Sequence, residues 1–124
     1  MVGIIKNIIS NYEGLSYLDA ENSGEGTLID VSVDYIDTTF FNEVQYDLWA
    51  NLLDSVDVIR PTFQIYCSYD NSGYNYWNNM NESNHTYINI WISNDFSDND
   101  FNSLNEEIEK VINKIDNFLN EHNL

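Results

Sequence analysis

The sequence predicts an α+β fold in which a small antiparallel β-sheet of about three strands packs against helices, in the order α-β-α-β-β-α. Three observations carry this. Apolar and polar residues alternate near residues 27–35, 62–69 and 85–93, the period of a strand with one wet face. Apolar residues recur at intervals of three, four and seven across 101–119, the period of an amphipathic helix. No repeat and no Pro/Gly-rich linker divides the 124 residues, so the elements are expected to share one core in a single domain spanning 1–124.

Taken in order, Ile4, Ile5, Ile8, Ile9 and Tyr12 fall on one side at helical spacing and predict a first helix over about residues 2–12. Asn22-Ser23-Gly24-Glu25-Gly26 reads as a turn. From Thr27 to Tyr35, Ile29, Val31, Val33 and Tyr35 point one way, and Leu28, Asp30, Ser32 and Asp34 the other. The period then changes. Phe41, Val44, Leu48, Leu52 and Val56 form an apolar stripe with Trp49 on its flank, predicting a helix capped by Thr38 or Thr39. Pro61 opens a strand over about 62–69, and a third strand over about 85–93 sets Ile88, Ile90 and Ile92 against Tyr87, Asn89, Trp91 and Ser93. Asp70 to Asn84 is a long Asn/Tyr loop. In the last helix Phe101, Leu104, Ile108, Val111, Ile112, Ile115, Phe118 and Leu119 share one side, and Ser103 and Glu106 have capping-box spacing.

Composition narrows the function. The chain has 21 Asp and Glu against 4 Lys and Arg, a net charge of −17. Affinity for a polyphosphate comes mainly from Lys and Arg displacing counterions, so direct nucleic-acid binding is not expected and the partner should be basic. With 43% hydrophobic and 15% aromatic residues the chain can repay its ordering entropy, which an acidic disordered tail cannot. A lone cysteine, Cys67, excludes an intramolecular disulfide, and Lys6 interrupts the N-terminus too early for a signal-peptide core. No apolar run approaches a membrane span, so a cytoplasmic protein without a membrane partner is expected.

Catalytic signatures are missing. There is no Gly-rich phosphate loop, metal-spaced histidine pair or nucleophile elbow. His85 and His122 read as surface residues and Cys67 as a small core hydrophobe. Neither an enzyme nor a cofactor is expected. A calcium-binding or catalytic module is the third-ranked class, because Asp98 to Glu109 resembles an EF-hand loop in placing oxygen ligands at positions 1, 3, 5, 9 and 12. Ser103, however, stands where the sharp turn demands glycine, and folding this loop would remove Phe101, Leu104 and Ile108 from the helical stripe. An Asp-rich helix start, favoured by the macrodipole, accounts for the same residues.

The charge pattern is the remaining signal. No basic residue lies between Lys6 and Arg60. On the second helix Glu43, Asp47 and Asp54 fall within about 40° of one another, although like charges at i,i+4 cost roughly 0.2–0.5 kcal/mol per pair. Asp30 and Asp34 share the wet face of the preceding strand about 13 Å apart. The last helix instead mixes Lys110 and Lys114 among Glu106, Glu107 and Glu121. A globule of this length is about 35 Å across, and duplex DNA of that length carries roughly 20 phosphates, close to the net charge here. Tyr74, Tyr76 and Trp77 add aromatics of the kind that anchor interfaces. In charge and size the chain resembles small acidic inhibitors: the anti-CRISPR and anti-restriction DNA mimics of phages, and immunity proteins of nuclease toxins. That resemblance implies a nucleic-acid mimic acting in host-defence evasion by blocking a basic nucleic-acid-binding protein, or alternatively an immunity protein neutralising a nuclease. Asp30, Asp34, Glu43, Asp47, Asp54, Tyr74, Tyr76 and Trp77 are the expected partner-binding residues.

Overall fold

Alternation at period two builds the centre of the molecule. In a computed structural model describing residues 2–36, 38, 41–70, 74–75, 80–81 and 85–124, the elements run α1 (Val2–Ser10), β1 (Leu15–Asn22), β2 (Gly26–Val33), α2 (Glu43–Ser55), β3 (Val58–Ile59), β4 (Phe63–Asp70), β5 (Tyr74–Asn75), β6 (Met80–Asn81), β7 (His85–Ser93), a 3-10 turn (Asp98–Asp100) and α3 (Phe101–Glu121). Five strands form one antiparallel sheet in the order β1-β2-β7-β4-β3, and β5 pairs with β6 in a separate two-stranded ladder. The expected three strands are β2, β4 and β7. The sheet is larger because β1 and β3 add an edge on each side.

Registers place the core. Ile29 on β2 lies opposite Ile90 on β7, which lies opposite Ile65 on β4, and Val31, Ile88 and Cys67 make the next row. All six are buried, with Ile5 and Ile9 of α1, Trp49 and Leu53 of α2, and Leu104, Ile108, Val111, Ile115 and Phe118 of α3 in the same cluster. The three helices therefore cover one face of the sheet.

β1 escaped sequence reading because of a bulge. Its register shifts between Tyr17 and Asp19, so Leu15 and Tyr17 share the helix-covered face with Ala20, not with Asp19. One extra residue inverts the parity of the alternation half-way along the strand. β3 is only two residues long, too short to show a period.

The second helix is turned from the expected orientation. Trp49, Leu53 and Val56 are buried, whereas Val44 is 67% and Leu48 43% exposed. Aromatic packing sets this angle: the Trp49 ring sits 5.3 Å from Phe118 and 5.8 Å from Phe41. The start also moves. Asn42, not Thr38 or Thr39, caps α2: Asn42 Oδ1 accepts from the Gln45 amide at 2.8 Å, and Gln45 Oε1 accepts from the Asn42 amide at 3.0 Å. Thr38 is buried upstream and Thr39 lies outside the described residues.

The last helix carries its predicted stripe, but Ser103 and Glu106 are inside it. Its entry is made by Ser97 and Asp100, whose carboxylate accepts from the Ser97 amide at 2.9 Å. Asp98 to Glu109 is thus a 3-10 turn continuing into α3. Glu107, nearly buried, receives Arg60 at 3.1 Å and Lys110 at 3.4 Å, tying the β3–β4 turn to α3.

Two substitutions at glycine separate backbone strain from chain entropy. Gly14 has φ +84°, and a Cβ there would lie 2.5 Å from Tyr35 Cδ1, while at Gly3 in α1 a Cβ would meet nothing within 4 Å. Gly14→Ala is expected to lower stability by about 2 kcal/mol or more, and Gly3→Ala to raise it by roughly 0.5–1 kcal/mol, read from urea unfolding of each variant. A third substitution concerns Thr86, on the core face of β7 between Val33 and Tyr69, whose buried hydroxyl has no hydrogen-bond partner among the described residues. Thr86→Val should gain about 1 kcal/mol by removing that desolvated group. A loss of stability would show that the hydroxyl is satisfied.

Candidate partner-binding site

The five predicted carboxylates fall into two groups. Glu43, Asp47 and Asp54 are exposed on α2, turned away from Trp49 and Leu53. Asp30 alternates with the buried Ile29 and Val31 and lies on the opposite face of the sheet, the one that none of the described helices covers and so called the uncovered face. Asp34 follows β2 at the same side, where Ser32 Oγ donates to Oδ1 at 2.6 Å and Ser16 Oγ donates to Oδ2. Because α2 packs on the helix-covered side, the sheet separates Asp30 from the α2 row. They are not one surface.

Of the predicted aromatics, Tyr74 contributes backbone to β5, and Tyr76 and Trp77 lie outside the described residues. Sequence reading missed other members of the uncovered face. Registers assemble them in rows: Ile59, Gln64, Trp91, Leu28 and Glu21 in one, and Tyr66, Asn89, Asp30 and Asp19 in the next. A third holds Ser68, Tyr87, Ser32 and Ser16. No Lys or Arg occurs in these rows or in α2. The four basic residues lie on α1, in the β3–β4 turn and on α3, and Lys6 sits over the Tyr17 ring at 4.8 Å. The signal for Tyr66 and Trp91 was present, since both occupy the non-core parity of their strands. Asp19 and Glu21 were hidden with β1.

A cleft of about 340 Å³ opens between the α1–β1 turn and α3, lined by Tyr12, Glu13, Gly14, Leu15, Tyr35, Ile112 and Asp116. Tyr35 donates its hydroxyl to Asp116 at 2.9 Å, and burial together with that carboxylate pushes its pKa up. Tyr12 is pushed up by burial and by Glu109, and donates to Asn105 at 2.8 Å. Both phenols hold their protons at neutral pH, so they act as donors and not as bases.

Among the described residues no group of three or more His, Cys, Asp and Glu is arranged to hold a metal ion. His85 is exposed at the start of β7, and the His122 ring packs 4.3 Å from Phe118 at the end of α3. Among the described residues no helix is long and apolar enough to cross a membrane.

Cys67 is buried against Ile88, and burial followed by the Asp57 carboxylate pushes its thiol up from 9.0 to about 12. A raised folded-state pKa contributes stability that is complete below the unfolded value and fades as pH rises through the folded value. Between pH 8 and 10.5, urea unfolding should therefore show the wild type losing about 2 kcal/mol more than Cys67→Ala. Equal losses would mean that the thiol ionises freely in the fold.

Comparison with protein-family models, with curated proteins and with solved structures finds no match to this chain.

Proposed function

We propose that this protein is a stoichiometric inhibitor that occupies the basic groove of a nucleic-acid-acting protein in place of nucleic acid. The observation that supports this most is the segregation of charge. The outward side of α2 and the uncovered sheet face carry carboxylates with no Lys or Arg among them, while all four cations lie elsewhere. Like-charged neighbours such as Glu43 and Asp47, one helical turn apart, are mildly destabilising and serve a partner better than they serve the fold. A groove built to neutralise phosphates presents the complementary charge.

Affinity capture on immobilised protein from cells of its source, with the partner then assayed for duplex binding, tests the reading. The captured protein is expected to be basic, to bind nucleic acid, and to release duplex when this protein is added. Its association should slow steeply as salt rises, because the Debye length falls from about 10 Å at 0.1 M to about 3 Å at 1 M. A captured nuclease toxin would place the same chemistry in immunity. A partner without affinity for nucleic acid, or an on-rate flat in salt, overturns the reading.

Location is tested by reversal. Changing Glu43, Asp47 and Asp54 to Lys should weaken inhibition about a hundredfold or more, since like charge against a basic groove costs several kcal/mol. The fold should survive, as all three side chains are exposed. The matched control reverses Glu106, Glu109 and Glu121, exposed on α3, and spares Glu107, which holds Arg60 and Lys110. Equal loss in both variants would mean that only bulk charge matters.

A further inference from the structure

The sheet face that no described helix covers combines aromatic side chains with opposed carboxylates. One half is aromatic: Tyr66 is 38% exposed, and Trp91 lies partly exposed against Gly26, where a Cβ would come within 2.9 Å of the indole Cε2 and Nε1. The other half is acidic, with Asp19 directly opposite Asp30 across the β1–β2 pair and Glu21 one row away. Like charges directly opposite in a sheet are destabilising. Among the described residues the two ion pairs both converge on Glu107, on the far side of the sheet, so no lysine or arginine relieves this pair.

We propose that this face docks an arginine-bearing segment of the basic partner, with guanidinium groups lying on Trp91 and Tyr66 and bonding to Asp30 and Asp19. The proposal rests on the reading of the protein as a binder of a basic partner and names the surface and the side chain it takes. Trp91 and Asp30 are diagonal neighbours on adjacent strands, about 7–8 Å apart. One planar guanidinium resting on the indole spans that distance with an N–H directed at the carboxylate. Arginine suits the site better than lysine because its planar fork both stacks on rings and pairs with carboxylates, whereas an ammonium is a strongly hydrated point charge. A nucleic acid could stack bases on the same rings, but its phosphates would meet Asp19, Glu21 and Asp30 with no cation in these rows. A second copy of this chain would bring the same carboxylates against these.

The test titrates fluorescently labelled nona-arginine and nona-lysine peptides into the full chain at fixed ionic strength and reads anisotropy. Nona-arginine should bind about tenfold tighter than nona-lysine. Asp19→Asn with Asp30→Asn should weaken nona-arginine about tenfold and leave the melting temperature unchanged or higher, since repulsion is removed. Tyr66→Thr, which keeps a β-forming residue at a half-exposed position, should weaken nona-arginine and leave nona-lysine alone. Glu106→Gln with Glu109→Gln on α3 removes the same charge and should change binding less than twofold, by screening alone. Equal binding of the two peptides, or equal effects of the two double variants, overturns the sheet-face proposal. If the α2 reversal still abolishes inhibition in that event, the basic-partner reading stands without this face. Self-association of the wild type in sedimentation, lost in Asp19→Asn/Asp30→Asn, would assign the face to a second copy and overturn the proposal as well.

Discussion

The shared register of β2, β7 and β4 is the constraint on which the rest of the molecule depends. Ile29, Ile90 and Ile65 occupy one row and Val31, Ile88 and Cys67 the next, each with a polar or aromatic neighbour on the opposite face. A slip of one residue in any of the three would exchange the two faces of that strand, placing an Asp, Asn or Tyr beneath the helices and an isoleucine outside. Because β7 lies at the centre and is paired along most of its length on both sides, it fixes the parity of its neighbours. The same parity that builds the core therefore decides which side chains line the uncovered face.

That dependence explains what was legible in the sequence. Strands β2, β4 and β7 and helix α3 announce themselves because one face is predominantly apolar over eight residues or more. Edge strand β1 does not, since the bulge after Tyr17 moves its inward positions from odd to even numbers. For α2, two overlapping stripes were available in the residues, one through Val44 and Leu48 and one through Trp49 and Leu53. The choice between them is tertiary: Phe41 and Phe118 offer ring edges and faces to Trp49, and the burial of an indole outweighs that of a valine. The acidic row Glu43, Asp47 and Asp54 is exposed with either stripe inward, which is why it was legible when the stripe was not. Placement of Asp30 on the far side of the sheet from that row was not legible, because it requires knowing that all three helices share one face.

The few cations are used sparingly by the fold. Arg60 and Lys110 share one nearly buried carboxylate, Glu107, so burial of that charge is compensated by two partners and a turn is fastened to α3. Lys6 rests over Tyr17, joining α1 to the edge strand. Each of these contacts fastens structure on the helix side. Nothing comparable relieves Asp19 and Asp30, whose opposition survives because the apolar rows beneath them are strong enough to hold the register against it.

Two acidic surfaces on opposite sides of one small protein do not act together at short range. A helix about 10–12 Å across and a sheet lie between the α2 row and the uncovered face, whereas the Debye length is about 8 Å at physiological ionic strength. Each face is therefore screened from the other. Far from the molecule a partner responds to the whole net charge, which governs encounter, but once docked it feels the face it touches. A total of −17 thus bears on how fast a basic protein arrives and says little about where it rests. Position must come from features that charge alone lacks: the exposed Val44 and Leu48 beside the α2 row on one side, and Tyr66 and Trp91 beside Asp30 on the other. Of these, the sheet face has its aromatics and carboxylates fixed by ladder pairing on a rigid scaffold. Backbone held in that ladder has no ordering cost left to meet when a partner docks.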